Sequence, residues 1–131
     1  LAGLTETHRR RHTLATVALF DPDLHPHTGV AGGRAALDKT GRIVQFVEGE
    51  ELPAGTKGMI NAGVYLLDHA LLQQLAAGFL DFGRNVFPGL AASGELSGHV
   101  IEPGGYCLGL DTPESFSVAQ DLVQSHRVVL S

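Results

Sequence analysis

A single cysteine, Cys107, stands in the 131 residues, so no intrachain disulfide forms and a Cys-rich zinc site is excluded. A reducing, cytoplasmic setting is expected from that count. No apolar run approaches the ~18 residues a membrane span needs. The first residues lack the basic-then-apolar pattern of a secretory signal. Charged side chains are scarce at 18%, against an ordinary ~25%, and no tract is biased enough for disorder, collagen or a coiled coil. Methionine is scarcer still. Met59 is the only one and residue 1 is Leu, so a piece of a longer protein is expected.

What is abundant is glycine, 17 residues, near twice the usual ~7%. Many turns and close backbone approaches are implied. Hydrophobic residues make up 44%, enough for one domain of this length to hold a core. The charge is uneven. Arg9, Arg10 and Arg11 against Glu6 leave +2 in residues 1–12, and the 6 basic against 13 acidic side chains of the remainder leave −7. An acidic body repels phosphate backbones, so nucleic acid is not an expected partner. The basic run fits a solvated helix face.

Residues 4–12 read as the end of a helix, with Thr5 as its cap. The apolar, β-branched run 13–20 predicts a buried strand. Residues 21–29 hold two prolines and a glycine and predict a loop. Residues 30–37 and 42–50 predict two strands around a tight turn. The nearly continuous apolar run 59–67 predicts a central strand. Asp68 then caps a helix that Gly78 stops, and residues 79–94 predict a loop with a short helix. Residues 96–102 and 106–111 predict two more strands. Thr112, Pro113 and Glu114 open a last helix over 113–125, with Pro at its first position and an acid in its first turn. Its apolar face, carrying Phe116, Ala119 and Leu122, is expected to pack on the sheet. The class is α/β, one unit over residues 1–131, without an internal repeat or a dividing linker.

Several patterns carry chemistry less well than they suggest. His8 and His12 stand at i, i+4, a zinc spacing, but no third ligand accompanies them and three arginines flank them. His25 and His27 fit a solvated loop. Gly29-Val30-Ala31-Gly32-Gly33-Arg34 resembles a phosphate-cradling loop, yet it leads into a strand rather than a helix, so a hairpin edge or bulge fits better. Ser, His and Asp show no triad placement. Cys107 has apolar neighbours and no local base, and reads as a small buried hydrophobe. Asn61 is different. An amide inside an apolar strand must find hydrogen-bond partners. Either a neighbouring loop satisfies it, or a ligand does, approaching over Ala62 and Gly63. Glu48, at the end of its strand, is a second polar group that would face the same cleft.

Together these segments resemble one family. Phe46-Val47-Glu48, a loop, then Ile60-Asn61-Ala62-Gly63-Val64-Tyr65 is similar to the sugar-1-phosphate nucleotidyltransferases, in which Phe-x-Glu-Lys precedes Ile-Asn-Ala-Gly-x-Tyr. The run Phe79-Leu80-Asp81-Phe82-Gly83-Arg84-Asn85-Val86-Phe87-Pro88 resembles a segment of the guanylyltransferase branch, the mannose-1-phosphate type. Residues 106–114 resemble the closing Tyr-Trp-x-Asp-Ile-Gly-Thr-Pro-Glu. The resemblance implies a Rossmann-like nucleotidyltransferase fold, of which this chain is the C-terminal, sugar-binding portion with a mixed sheet and flanking helices. In that family a sugar 1-phosphate attacks the α-phosphate of a nucleoside triphosphate and pyrophosphate leaves, with Mg²⁺ and basic groups stabilising the transition state. By resemblance, Glu48 holds sugar hydroxyls, Asn61 orients the sugar, the backbones of Gly29 and Gly63 approach it, and Asp111 is the candidate Mg²⁺ ligand.

The departures shape the expected function. The family's Gly-rich triphosphate loop and first metal-binding Asp are absent. Gly49 replaces the Lys after Phe-x-Glu, Gly109 falls where the second metal Asp belongs, and Thr28 replaces a Tyr. Lys57 and Asp111 are the candidates to compensate by nearby placement. The first expectation is therefore a fragment of an enzyme making an NDP-sugar, of GDP-mannose or GDP-heptose type, inactive as this chain alone and without an assigned catalytic residue. The second is a non-catalytic sugar-phosphate-binding or regulatory relative, and the third a structural half-domain. A strand edge left by a missing half would pair with another copy, so a homo-oligomer is expected.

Overall fold

The computed structural model describes residues 1–29, 31–75, 77–78 and 80–130. Helix α1 (Ala2–Arg11) leads into strand β1 (Ala15–Phe20), followed by β2 (Arg34–Leu37), β3 (Ile43–Val47) and β4 (Met59–Leu67). Helix α2 (His69–Gln74), a π-helical turn (Phe82–Val86) and α3 (Phe87–Ala92) precede β5 (Leu96–Val100), and α4 (Pro113–Gln124) follows. The protein is α/β, with a mixed five-stranded sheet in the order β3-β2-β4-β1-β5. Only β1 and β5 run parallel; the other pairs are antiparallel.

The most apolar strand takes the most buried place. All six residues of β1 are buried between β4 and β5. Its alternation sorts two layers. Ala15, Val17 and Leu19 enter the main core with Ile43, Phe46, Val86, Phe87 and Leu96. Thr16 turns the other way, towards α1, where its Oγ1 lies 2.8 Å from His8 Nδ1. Thr7 of α1 makes a matching contact, Oγ1 to His99 Nδ1 of β5 at 2.8 Å. Helix α1 therefore docks through two threonine–histidine pairs around the buried Leu4.

Phe87 centres the opposite layer. Its fully buried ring meets Phe46 of β3 at 5.3 Å, Tyr65 of β4 at 5.0 Å and Phe82 of the π-helical turn at 5.6 Å. The first two contacts are edge-on, the arrangement that the ring quadrupole favours.

Several sequence expectations change. Strand β4 is central in order but only half buried, with Val64 exposed. A bulge is the reason: Val17 pairs with Tyr65 and Leu19 with Asn61, so β4 spends four steps where β1 spends two. Strand β2 begins at Arg34 rather than residue 30; just before it, Gly33 O still accepts the Asn61 N–H of β4 at 2.9 Å, and Val30 lies outside the described residues. Helix α2 stops at Gln74 because Leu75 turns extended (φ −72°, ψ 133°). It buries only Leu71, and so short a helix has little else to hold it. Residue 76, within the helix expected to run to Gly78, and Phe79 lie outside the described residues.

Residues 106–111 form no strand. Cys107 makes one isolated bridge to His27, and its N–H donates to Pro26 O at 3.0 Å. Proline lacks the N–H that would continue a ladder, so pairing stops there. Leu1 occupies the N-cap position of α1 without a capping side chain, and Thr5, inside the helix, donates its hydroxyl to Leu1 O at 2.9 Å. Helix α4 has the expected start, with Thr112 and Ser115 capping each other. Its buried Ala119 and Leu122 lie outside the sheet's core cluster, and Phe116 is exposed. The outer edge of β5 is also partly taken: Gly98 N–H donates to Gly41 O at 2.9 Å beside an Arg42–Ser97 bridge. Among the described residues no helix is long and apolar enough to cross a membrane.

Phe87→Ala is expected to lower unfolding free energy by about 3–5 kcal/mol, as for other fully buried aromatics. Urea unfolding of the purified variant measures this. A loss below about 1 kcal/mol would show that Phe46, Tyr65 and Phe82 hold their places without it.

Candidate functional site

The site is built where β2, β4 and the π-helical turn converge. Residue 61 brings an amide into a strand that otherwise offers apolar side chains, and the strand itself satisfies it. Asn61 Oδ1 accepts the Gly63 N–H at 2.8 Å, and Asn61 Nδ2 donates to Tyr65 Oη at 2.8 Å. In a regular strand residues 61 and 65 stand about 13 Å apart along the axis. The bulge shortens that path. Gly63 takes the left-handed turn within it, at φ +79°, a conformation costly for other residues. The partners of Asn61 thus come from its own strand rather than from a neighbouring loop, and they hold the buried amide in one orientation.

Glu48 follows β3 and reaches back over two glycines. A Cβ at Gly33 would stand 2.5 Å from Glu48 Oε2, and so would one at Gly83. The missing side chains are the seat of the carboxylate. At Gly33 a Cβ would also stand 2.5 Å from Phe46 Cζ, so the seat is closed from below by the aromatic layer.

Glu48, Asn61 and Gly63 line one cleft of about 400 Å³, with Gly33, Tyr65, Asp81, Phe82 and Gly83 completing its walls. Gly29 is not among them. It lines an adjoining cleft of about 380 Å³ with Thr28, Gly109, Asp111, Glu114 and Ser115. Ala31 borders both. The five residues singled out from sequence therefore fall into two neighbouring sites: Glu48, Asn61 and Gly63 in one, Gly29 and Asp111 in the other.

The loop beside the second cleft is more ordered than its composition suggests. His25 is buried rather than solvated, and its Nδ1 accepts the Asp21 N–H at 2.9 Å. His27 packs its ring on Phe20 at 5.3 Å, accepts the Gly29 N–H on Nδ1 at 3.0 Å, and places Nε2 3.2 Å from Pro22 O. Thr28 Oγ1 donates to Gly109 O at 3.1 Å and accepts the Gly109 N–H at 2.8 Å. Thr28 and Gly109, both departures from the pattern of the family that the sequence resembles, thus complete each other.

Lys57 does not reach the cleft of Glu48. Its Nζ pairs with Asp21 Oδ1 at 3.0 Å and Asp23 Oδ2 at 2.7 Å. Burial alone would raise the pKa of Asp21, but the Asp23 N–H and the Lys57 ammonium outweigh it and hold the carboxyl below its ordinary value. Cys107 is half-buried and burial pushes its thiol pKa up, which agrees with an inert side chain. His8 turns inward to Thr16 while His12 ends α1 exposed at φ 53°. Among the described residues no three His, Cys, Asp or Glu side chains group as a metal site.

Tyr65, Gly33, Asp81, Phe82 and Gly83 are not singled out as site residues by the sequence alone. Tyr65 was within reach, since it closes the Asn-Ala-Gly-x-Tyr run. The glycine seat of Glu48 was not, because it joins three segments distant in sequence. No protein-family model matches the chain.

Two outcomes follow from this geometry. Gly83→Ala should keep the fold, because the first atoms its methyl meets belong to the flexible end of Glu48. Amide NMR shifts confined to the surroundings of Glu48, with an unchanged melting temperature, are the expected result; global unfolding would mean that the carboxylate cannot leave its seat. The second outcome concerns acid. With its native pKa lowered, Asp21 binds fewer protons folded than unfolded, so its contribution is present above the ordinary carboxylate pKa of ~3.9 and is lost as pH falls through the native value. Melting temperatures from pH 7 to pH 2 should drop in that window, and Asp21→Asn should flatten the drop. An unchanged slope in the variant would remove Asp21 from the account.

Proposed function

We propose that this chain is the sugar-1-phosphate-binding portion of a sugar-1-phosphate nucleotidyltransferase with a Rossmann-like fold, and that it does not turn over alone. One observation carries the reading. Glu48 and the Asn61–Gly63 segment, which the resemblance assigns to the sugar from two separate motifs, line a single cleft. The chemistry of the cleft suits a polyol. A carboxylate accepts hydrogen bonds from hydroxyls. Asn61 spends one donor and one acceptor site on Tyr65 and Gly63, which leaves one of each for a ligand. Because those internal bonds fix the amide, a sugar need not pay to order it. Tyr65 and Phe82 offer ring surface to the apolar face of a sugar.

Asp111 and Glu114 border the adjoining cleft, and Mg²⁺ is commonly held by one or two carboxylates with substrate phosphates completing the shell. The donor set therefore fits a Mg²⁺ ion whose coordination a triphosphate completes, and the ion would supply charge neutralisation there. Exposed Leu110 and Phe116 nearby offer apolar surface for the remainder of a complete domain or for a second copy.

A second reading has its own support. Gly49 lacks the family's ammonium, and Lys57 is committed to Asp21 and Asp23. Both features favour a relative that binds sugar phosphate without catalysis. The two readings agree on the cleft and differ on turnover in the complete protein.

Calorimetric titration with α-D-mannose 1-phosphate and α-D-glucose 1-phosphate tests the shared part. At least one should bind, and Glu48→Gln should weaken it about tenfold or more, the size of a hydrogen bond to a charged group. Absence of binding to either would overturn the proposal. Pyrophosphate release by this chain with triphosphate, sugar 1-phosphate and Mg²⁺ should be nil, and sustained turnover would contradict its stated inactivity.

A further inference from the structure

The sugar cleft has no evident place for a phosphate. Its carboxylates are Glu48 and Asp81, and both repel a phosphate dianion. A survey of the basic side chains narrows where one can be held. Arg9, Arg10 and Arg11 belong to the last turn of α1. Lys39 and Arg42 belong to the turn between β2 and β3, where the Arg11 guanidinium lies against Gly41. Arg127 follows α4 near the C-terminus. Lys57 is paired with two aspartates. Arg34 and Arg84 remain, and each lines a depression that shares Glu48 with the sugar cleft.

The two are not equivalent. Arg34 shares its depression with Glu48, Glu50 and Glu51. Arg84 shares a larger one, about 510 Å³, in which the acidic groups are Glu48 and Glu50. Both depressions adjoin the sugar cleft, that of Arg34 along Ala31 and Gly32 and that of Arg84 along Gly83, so the lighter acidic lining is what favours Arg84. The backbone of Arg84 is fixed: its N–H donates to Asp81 Oδ1 at 3.1 Å, at the start of the π-helical turn. Its guanidinium reaches Gly49, where a Cβ would stand 3.6 Å from Nη2. Among the described residues the ion pairs are those of Lys57, so no carboxylate lies within 4.0 Å of that guanidinium. Gly49 itself stands at φ +75°, where any side chain would be strained. The backbone turn thus presents a bare surface. Arg84, from the π-helical turn, is the cation whose guanidinium lies against it, while Arg34 lines the depression on its other side among three glutamates.

We infer that Arg84 is the anion-binding residue of the cleft: its guanidinium receives the phosphate of a sugar monophosphate whose hydroxyls are held at Glu48 and Asn61. This rests on the sugar-binding reading and adds a residue and a position to it. A guanidinium fork matches two phosphate oxygens, which a point-charge ammonium does not. Selectivity then divides along the cleft, with Glu48 reading hydroxyls and Arg84 reading charge.

The experiment compares α-D-mannose 1-phosphate, α-D-glucose 1-phosphate and the two free sugars by calorimetry on the full chain and three variants. The full chain should bind a sugar phosphate at least about tenfold more tightly than its free sugar. Arg84→Gln should erase that difference and leave free-sugar affinity unchanged, and Arg84→Lys should restore part of it. Arg34→Gln should change nothing. Circular dichroism checks folding, which is not at risk at so exposed a position. If Arg84→Gln keeps the phosphate preference, or Arg34→Gln loses it, the assignment to Arg84 is wrong while the sugar cleft stands. If no sugar phosphate binds the full chain, both fall together.

Discussion

Phe87 decides the geometry of everything above it. Its ring touches one aromatic from β3, one from β4 and one from the π-helical turn. Each neighbour then carries a part of the site. Phe46 lies under Gly33, where Glu48 is seated. Tyr65 extends its hydroxyl to Asn61. Phe82 forms part of the cleft wall. A single buried ring therefore fixes three surfaces that come from distant parts of the sequence. In a close-packed interior such a ring has no slack, so a shift beneath the cleft is passed on to its walls.

On that floor the polar groups are arranged by economy of partners. A buried amide is tolerable only if paired, and Asn61 finds both partners within four residues of itself. The bulge that makes this possible costs β4 regular pairing with β1 and leaves Val64 exposed. In return the amide cannot rotate without losing two hydrogen bonds. On the proposed reading the same residue would serve both stability and recognition, and loss of ligand affinity on its removal would not separate the two. Glu48 is cleaner in this respect, because glycines hold it by leaving space rather than by bonding it.

Sequence pattern made the parts with strong local signals legible. The run 13–20 is rich in apolar and β-branched residues, and strand β1 within it is buried throughout; Thr112, Pro113 and Glu114 announce a helix, to which the structure adds the reciprocal cap of Ser115. Asn61 stood out because its polarity contradicts its surroundings. The failures share one cause, contact partners that local pattern does not place, whether near or far along the chain. Residues 106–111 have strand composition, but their nearest backbone partner contains Pro26, which sequence alone does not place there. His25 and His27 look solvated until Asp21, Phe20 and Gly29 close around them. The grouping of Gly29 with Asn61 failed for the same reason, since Thr28 is drawn to Gly109 and carries Gly29 into the adjoining cleft.

That last contact sets how the two clefts relate. Thr28 and Gly109 hold each other through two hydrogen bonds, and the Cys107 N–H ties the same two segments at Pro26. The loop after β1 and the segment before α4 therefore act as one piece, anchored to the sheet through β1 and through the Lys57 bridge beside β4. Ala31 lies between this piece and the start of β2, bordering both clefts. A ligand spanning them would pass over a residue with no side chain beyond Cβ. The acidic groups are divided accordingly, Asp111 and Glu114 on one side and Glu48 and Asp81 on the other. Two acidic clefts joined by a small residue repel a phosphate placed at random within them. Whatever anionic group enters must be held by a cation at the rim, and the charge of this chain leaves few cations there to do it.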